Sequence, residues 1–220
     1  MKPELIIFDC DGVLIDSEVI ANRVDVAYLA ELGITFSLED YMSIALGKTL
    51  KDTMLEIEKH SGKNLPRDYP TRVLEHTKTA FSKDLQAING ISKLLKDLHL
   101  PKAIASGSSP ERLEHSLTVT KLWSFFAPHI YSATMVERGK PAPDLFLFTA
   151  AKFNANPART IVIEDSTSGI QAALAAGMIP IGFTGGSHIK AGHEQKLLDL
   201  GALRVFSSMT HLEAWLESDE

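Results

Sequence analysis

The chain has 220 residues, 45% of them hydrophobic, and a formal net charge of −6. That composition suits a folded domain with a real core and excludes a disordered or fibrous chain. A net acidic chain has no general attraction for nucleic acid or anionic membrane, so a bound phosphate must be met by local cations or a metal. One cysteine, Cys10, excludes an intramolecular disulfide. There is no signal-peptide pattern, and no apolar run approaches the ~20 residues of a membrane span. The expectation is a soluble, cytoplasmic monomer without nucleic-acid or membrane partners.

In chain order, Leu5-Ile6-Ile7-Phe8 reads as a strand buried on both faces, running straight into Asp9-Cys10-Asp11-Gly12. In extended backbone, residues i and i+2 point the same way, about 6–7 Å apart. Two carboxylates there repel each other and lose hydration, a cost that a cation or a shared proton relieves. Taken alone, D-x-D-G fits a turn with two solvated aspartates equally well. Cys10 would face away from them, as a small buried apolar residue.

From Asp16 to about Asp84 the pattern is helical. Val19, Ala21, Val24, Ala27, Tyr28 and Leu32 form one stripe that stops at Gly33. Ser37 and Asp40 begin a second helix as a capping box. Gly47-Lys48-Thr49 interrupts; Leu50, Met54, Ile57 and Glu58 lead to Gly62, and a further helix spans 66–81.

Thereafter strands and helices alternate. Strands are predicted at 103–105, 130–132, 160–163, 179–183 and 204–206. Helices fall at 88–98, 109–119, 143–153, 168–176, 194–200 and 211–216. This alternation implies an α/β fold, a doubly wound (Rossmann-like) and mostly parallel sheet. The first strand joins the later block, giving a core of residues 1–15 and 85–220 with an all-helical insert at 16–84.

Ligands of such sheets bind beyond the carboxyl ends of the strands. Those ends carry Asp9 and Asp11, then Ser106-Gly107-Ser108-Ser109-Pro110 opening a helix, then Gly139-Lys140-Pro141, then Glu164-Asp165-Ser166. A capped helix start suits a phosphate, and two prolines stiffen the backbone after Lys140. Charged residues such as Glu164 and Asp165 at a strand end need pairing, hydration or metal. Each signal is modest, but one crevice would collect them all.

These motifs resemble those of the haloacid dehalogenase superfamily of phosphatases and phosphomutases, over essentially the whole chain. Asp9-Cys10-Asp11-Gly12-Val13 is similar to the family's first motif, Ser106 to its second, and Lys140 in Gly-Lys-Pro-Ala-Pro-Asp to its third. Glu164-Asp165-Ser166 with Gly169 is similar to the fourth. The nearest branch is the β-phosphoglucomutase-like one, which includes small sugar-phosphate phosphatases and 6-phosphogluconate phosphatase. The resemblance implies a helical cap and hydrolysis of a small phosphorylated metabolite through an aspartyl-phosphate. It makes Asp9 the nucleophile and Asp11 the general acid and base. Mg2+ would be held by Asp9, the Asp11 carbonyl and Asp165, with Glu164 acting through a water. Ser106, Gly12 and Gly107 would bind phosphoryl oxygens and Lys140 would offset their charge. Gly47 and Lys48 would contact the substrate from the cap.

A β-phosphoglucomutase is the alternative. Mutases of that branch carry a cap histidine and a cap-loop arginine where this chain has Ala21 and Leu50, which favours phosphatase. Dehalogenase and phosphonatase are disfavoured by the presence of Asp11. A silent binding protein would not need mutually repelling acids. Gly47-Lys48-Thr49 is not a P-loop, because Met42 stands where that motif needs glycine. The eight histidines show no metal-ligand spacing.

Overall fold

The computed structural model describes residues 3–45 and 49–218. Its sheet has six parallel strands: β1 (Leu5–Phe8), β2 (Lys102–Ser106), β3 (Ile130–Ser132), β4 (Thr160–Glu164), β5 (Ile179–Phe183) and β6 (Arg204–Phe206). The spatial order is β3-β2-β1-β4-β5-β6. The apolar β1 is central, with Phe8 opposite Ile104 of β2 on one side and Ile163 of β4 on the other. Strand order reverses between β1 and β4, the switch point where open α/β sheets bind ligands. Asp9 leaves β1 there with its N–H donated to the Ile163 carbonyl at 2.9 Å, and Asp165 leaves β4 beside it.

The chain divides into two compact units, residues 1–16 with 86–220 and residues 17–85. The second is wholly helical among the described residues: α1 (Glu18–Glu31), α2 (Leu38–Ala45), α3 (Leu50–Ser61) and α4 (Tyr69–Asp84). Leu29, Ile34, Phe36, Tyr41, Ile57, Leu65, Tyr69 and Val73 form its core. On α4 the buried positions Tyr69, Val73, Thr77 and Phe81 recur every fourth residue, one face of a helix. The Ser37 capping box is present, with the Asp40 N–H 3.0 Å from Ser37 Oγ. Two expectations are corrected. In α1 the buried residues are Ala21, Asn22 and Leu29 rather than the full predicted stripe. Asn22 is tolerated inside because its amide donates to the Glu18 carbonyl at 2.5 Å. The last helix begins at Tyr69 rather than Pro66, because Pro66 accepts a turn hydrogen bond from the Tyr69 N–H and Pro70 lies in the first turn.

Among the described residues the first unit has seven α-helices: α5 (Ile91–Asp97), α6 (Pro110–Val119), α7 (Trp123–Phe126), α8 (Asp144–Ala151), α9 (Thr167–Ala175), α10 (His193–Asp199) and α11 (Met209–Glu217). Successive residues of β1 face opposite sides of the sheet. Leu5 and Ile7 pack with Leu145 and Phe146 of α8 and Ala172 and Ala173 of α9. Phe8 meets Phe126 of α7 edge to face, centroids 5.8 Å apart. Both faces are covered, which is why β1 reads as a continuous apolar run. Within α7, Phe126 is buried and Trp123 is 38% exposed. No helix among the described residues is long and apolar enough to cross a membrane.

Candidate active site at the strand ends

Lys140 is the pivot of the site. Its ammonium has three protons and three acceptors: Asp9 Oδ1 at 2.6 Å, the Ala105 carbonyl at 2.9 Å and Glu164 Oε1 at 2.5 Å. One buried cation thus ties together the ends of β1, β2 and β4. The Phe146 ring, centroid 5.0 Å away, covers the same ammonium.

Glu164 is fully buried. Its second oxygen, Oε2, accepts from the Ser166 N–H at 3.1 Å and the Ser166 hydroxyl at 2.9 Å. Ser166 Oγ in turn caps α9 by accepting from the Gly169 N–H at 3.0 Å. The glycine there is a steric necessity, since a Cβ at 169 would lie 1.9 Å from Glu164 Cδ. Gly12 is the second such position. Its φ is +82°, and a Cβ would lie 2.1 Å from Asp165 Oδ2. The Asp165 carboxylate is held at Oδ2 by His188 Nε2 at 2.8 Å, and its carbonyl lies 2.6 Å from His193 Nε2.

Asp11 turns toward the start of α6. Arg112 Nη2 donates to its Oδ1 at 2.9 Å and the Ser108 hydroxyl to its Oδ2 at 2.7 Å. Ser106, at the end of β2, is buried and accepts from the Ser108 N–H at 3.1 Å. Gly107 follows it in an exposed loop, where a Cβ would meet nothing within 4 Å. Gly47 and Lys48 lie outside the described residues.

Charge decides what this arrangement can hold. Asp9, Asp11, Glu164 and Asp165 bring four carboxylates; the fixed cations touching them among the described residues are Lys140 and Arg112. With all four ionised, two negative charges are left over, the balance that a divalent cation restores. Ligand oxygens of Asp9, Glu164 and Asp165 all lie within 4.8 Å of one another. The donors are all hard oxygens, the set that Mg2+ or Ca2+ prefers, and the residues fit such an ion. Burial, reinforced by Glu164, Asp165 and Asp11 against the opposing pull of Lys140, holds the Asp9 carboxyl well above the usual carboxylate range. Burial pulls the Lys140 ammonium down, but Asp9 and Glu164 outweigh it and the pKa rises, so Lys140 stays charged. Burial, then Asp11 and Asp9, push the Cys10 thiol well up. Cys10 is inert.

The structure therefore brings oxygens of Asp9, Glu164 and Asp165 within 4.8 Å of one another and Lys140 against Asp9 and Glu164, with Gly12 against Asp165 and Ser106 on the neighbouring strand end. Sequence reasoning missed Ser108, Arg112, His188 and His193. The position of Arg112 in the first turn of a helix opening at a strand end was the available signal for it. The histidines offered none.

A family model described as haloacid dehalogenase-like hydrolase matches residues 6–183. The 6-phosphogluconate phosphatase of Escherichia coli (strain K12) is 30% identical over 213 residues, covering 96% of both chains. The crystal structure of a conserved haloacid dehalogenase-like protein of unknown function from Agrobacterium tumefaciens aligns with a TM-score of 0.83. It is 42% identical and covers 97% of each chain. A structure from Deinococcus radiodurans R1, a HAD family hydrolase with bound phosphate and sodium, aligns with a TM-score of 0.79 and 33% identity. It covers 97% of this chain and 94% of that one.

Two stability outcomes follow from the packing and charge. Replacing a helical glycine by alanine normally stabilises by about 1 kcal/mol. At Gly169 the clash with Glu164 reverses the sign, and Gly169→Ala should lower stability by about 1–3 kcal/mol in thermal unfolding. For Asp9, the folded chain binds its proton more tightly than the unfolded chain, so stability falls as pH rises above the unfolded carboxyl pKa. Asp9→Asn should then raise the melting temperature of the metal-free protein at pH 7 by about 2–4 °C, the shift of roughly 1 kcal/mol in a chain this size. The gain should shrink as pH is lowered below the raised folded pKa of Asp9 and vanish only at the unfolded carboxyl pKa; a constant gain would contradict the burial argument.

Proposed function

The chain belongs to the haloacid dehalogenase-like hydrolases and is a phosphoric monoester hydrolase of that family; we propose that it is a Mg2+-dependent phosphatase of a small sugar phosphate or sugar-acid phosphate such as 6-phosphogluconate. The observation that carries this reading is the meeting of Asp9, Glu164 and Asp165 around one point, with a lysine that spends all three donors on the strand ends. The phosphatase named for 6-phosphogluconate, similar over nearly the whole length, supports the substrate class. The phosphate in the Deinococcus relative supports the ligand chemistry.

Phosphate monoesters hydrolyse extremely slowly unaided, so positioning and charge neutralisation must supply the acceleration. In this reading an Asp9 carboxylate oxygen attacks phosphorus as the ester P–O bond breaks, giving an aspartyl-phosphate. Asp11 gives its proton to the departing alkoxide, then takes one from the water whose oxygen attacks the same phosphorus. Phosphate leaves and the Asp9 carboxylate is restored. Lys140 holds Asp9 in place and offsets charge on the phosphoryl oxygens, to which the Ser106 hydroxyl and the Gly107 N–H would donate; the Gly12 N–H, expected to join them, is instead donated to the Ile15 carbonyl at 2.8 Å. A divalent cation at Asp9, Asp165 and the Asp11 carbonyl, with Glu164 reaching it through water, would supply the remaining neutralisation. Lys48 is the proposed cap contact to the sugar or acid group. A monomeric cytoplasmic enzyme fits a small soluble substrate. Ala21 in α1 and Leu50 at the start of α3 offer nothing to a second phosphate, so mutase activity is not expected.

A magnesium-supplemented panel of phosphorylated metabolites tests the reading, with β-glucose 1-phosphate included for mutase activity. Sugar and sugar-acid phosphates should outrank nucleotides by tenfold or more in kcat/KM, which is about 1.4 kcal/mol of transition-state discrimination. EDTA should silence the enzyme and Mg2+ restore it. Asp9→Asn should abolish turnover of an aryl phosphate while the circular-dichroism spectrum stays unchanged; surviving turnover would remove Asp9 as nucleophile.

A further inference from the structure

We infer that His188 is a positioning residue that fixes the Asp165 carboxylate for the cation. This rests on the proposed metal site and adds to it a residue outside the four motifs. His188 is buried, its side chain 6% exposed, and its Nε2 lies 2.8 Å from Asp165 Oδ2. A carboxylate only accepts, so Nε2–H donates, which occupies one oxygen and leaves the other for a ligand.

The imidazole is confined on two sides. A Cβ at Gly12 would come within 2.8 Å of His188 Cε1, and a Cβ at Gly186 within 2.8 Å of both Cε1 and Nδ1. The same Gly186 Cβ would lie 3.1 Å from the Gly12 carbonyl, so the loop after β5 passes directly over the turn that follows Asp11. Ser187 anchors that loop, its N–H and hydroxyl both donating to Asp16 Oδ1, at 3.0 and 2.8 Å. The Ile189 N–H closes a turn onto the Gly186 carbonyl at 3.2 Å. A residue needed only to fill space does not require two glycines and a double anchor to present one nitrogen to one carboxylate oxygen. Partners that orient a metal-ligating side chain typically govern affinity by 10–100-fold when removed.

The test measures free Mn2+ by electron paramagnetic resonance in titrations of the substrate-free protein, comparing wild type with H188A, H188N and H188Q. His188→Gln carries an amide N–H at about the reach of Nε2, and His188→Asn is too short. Mn2+ dissociation constants should rise about 10–100-fold in H188A and H188N and stay within about threefold of wild type in H188Q. With an aryl phosphate, H188A should need correspondingly more Mg2+ for half-activation while kcat at saturating Mg2+ changes far less. Unchanged Mn2+ affinity in H188N overturns the inference, whether or not H188A folds. So does equal weakening in H188N and H188Q. If wild type itself binds no Mn2+, the metal site fails and this inference fails with it.

Discussion

A single buried ammonium makes the rest of the site possible. Carboxylates from two strands would not be brought within hydrogen-bonding reach of a common point in a low-dielectric interior without compensation. Lys140 supplies it, and its three donors are divided so that no two go to the same strand end. Removing it would leave Asp9 and Glu164 without the cation they share. The parallel sheet brings the acids near; Lys140 lets them stay.

What Lys140 leaves uncompensated is equally informative. With Arg112 it sets two positive charges against four carboxylates, and Asp165 is bonded to neither cation, meeting His188 instead. A site meant only to be stable would have been neutralised fully or built from apolar residues. A residual attraction for positive charge is what a phosphate-handling centre in an acidic chain requires, since the protein as a whole repels its substrate. Asp11 is treated differently from its neighbours. Its oxygens are engaged by Arg112 and Ser108 rather than by Lys140, so the two aspartates two residues apart lie in separate hydrogen-bonding environments.

Much of this was legible before any coordinates. The strands 130–132, 179–183 and 204–206 are found where the alternation of strands and helices placed them. The strand-end acids and Lys140 stood out because charge is abnormal there. Gly169 was legible only as part of a motif, while its reason, the Glu164 carboxylate beneath it, needed the structure. Asn22 was invisible because its burial depends on a hydrogen bond to its own helix. His188 was invisible for another cause. Its role depends on Ser187 reaching Asp16, 171 residues earlier in the chain, and no local pattern encodes a contact that distant.

The contact between Gly169 and Glu164 also constrains how this chain can drift. Position 169 sits in the first turn of α9 and position 164 at the tip of β4, and the volume of one is the absence of the other. A methyl at 169 becomes tolerable only if residue 164 is shortened by a methylene, and the shorter acid would then draw back from Lys140. What position 169 tolerates therefore depends on what stands at 164, with the lysine as third party to the exchange.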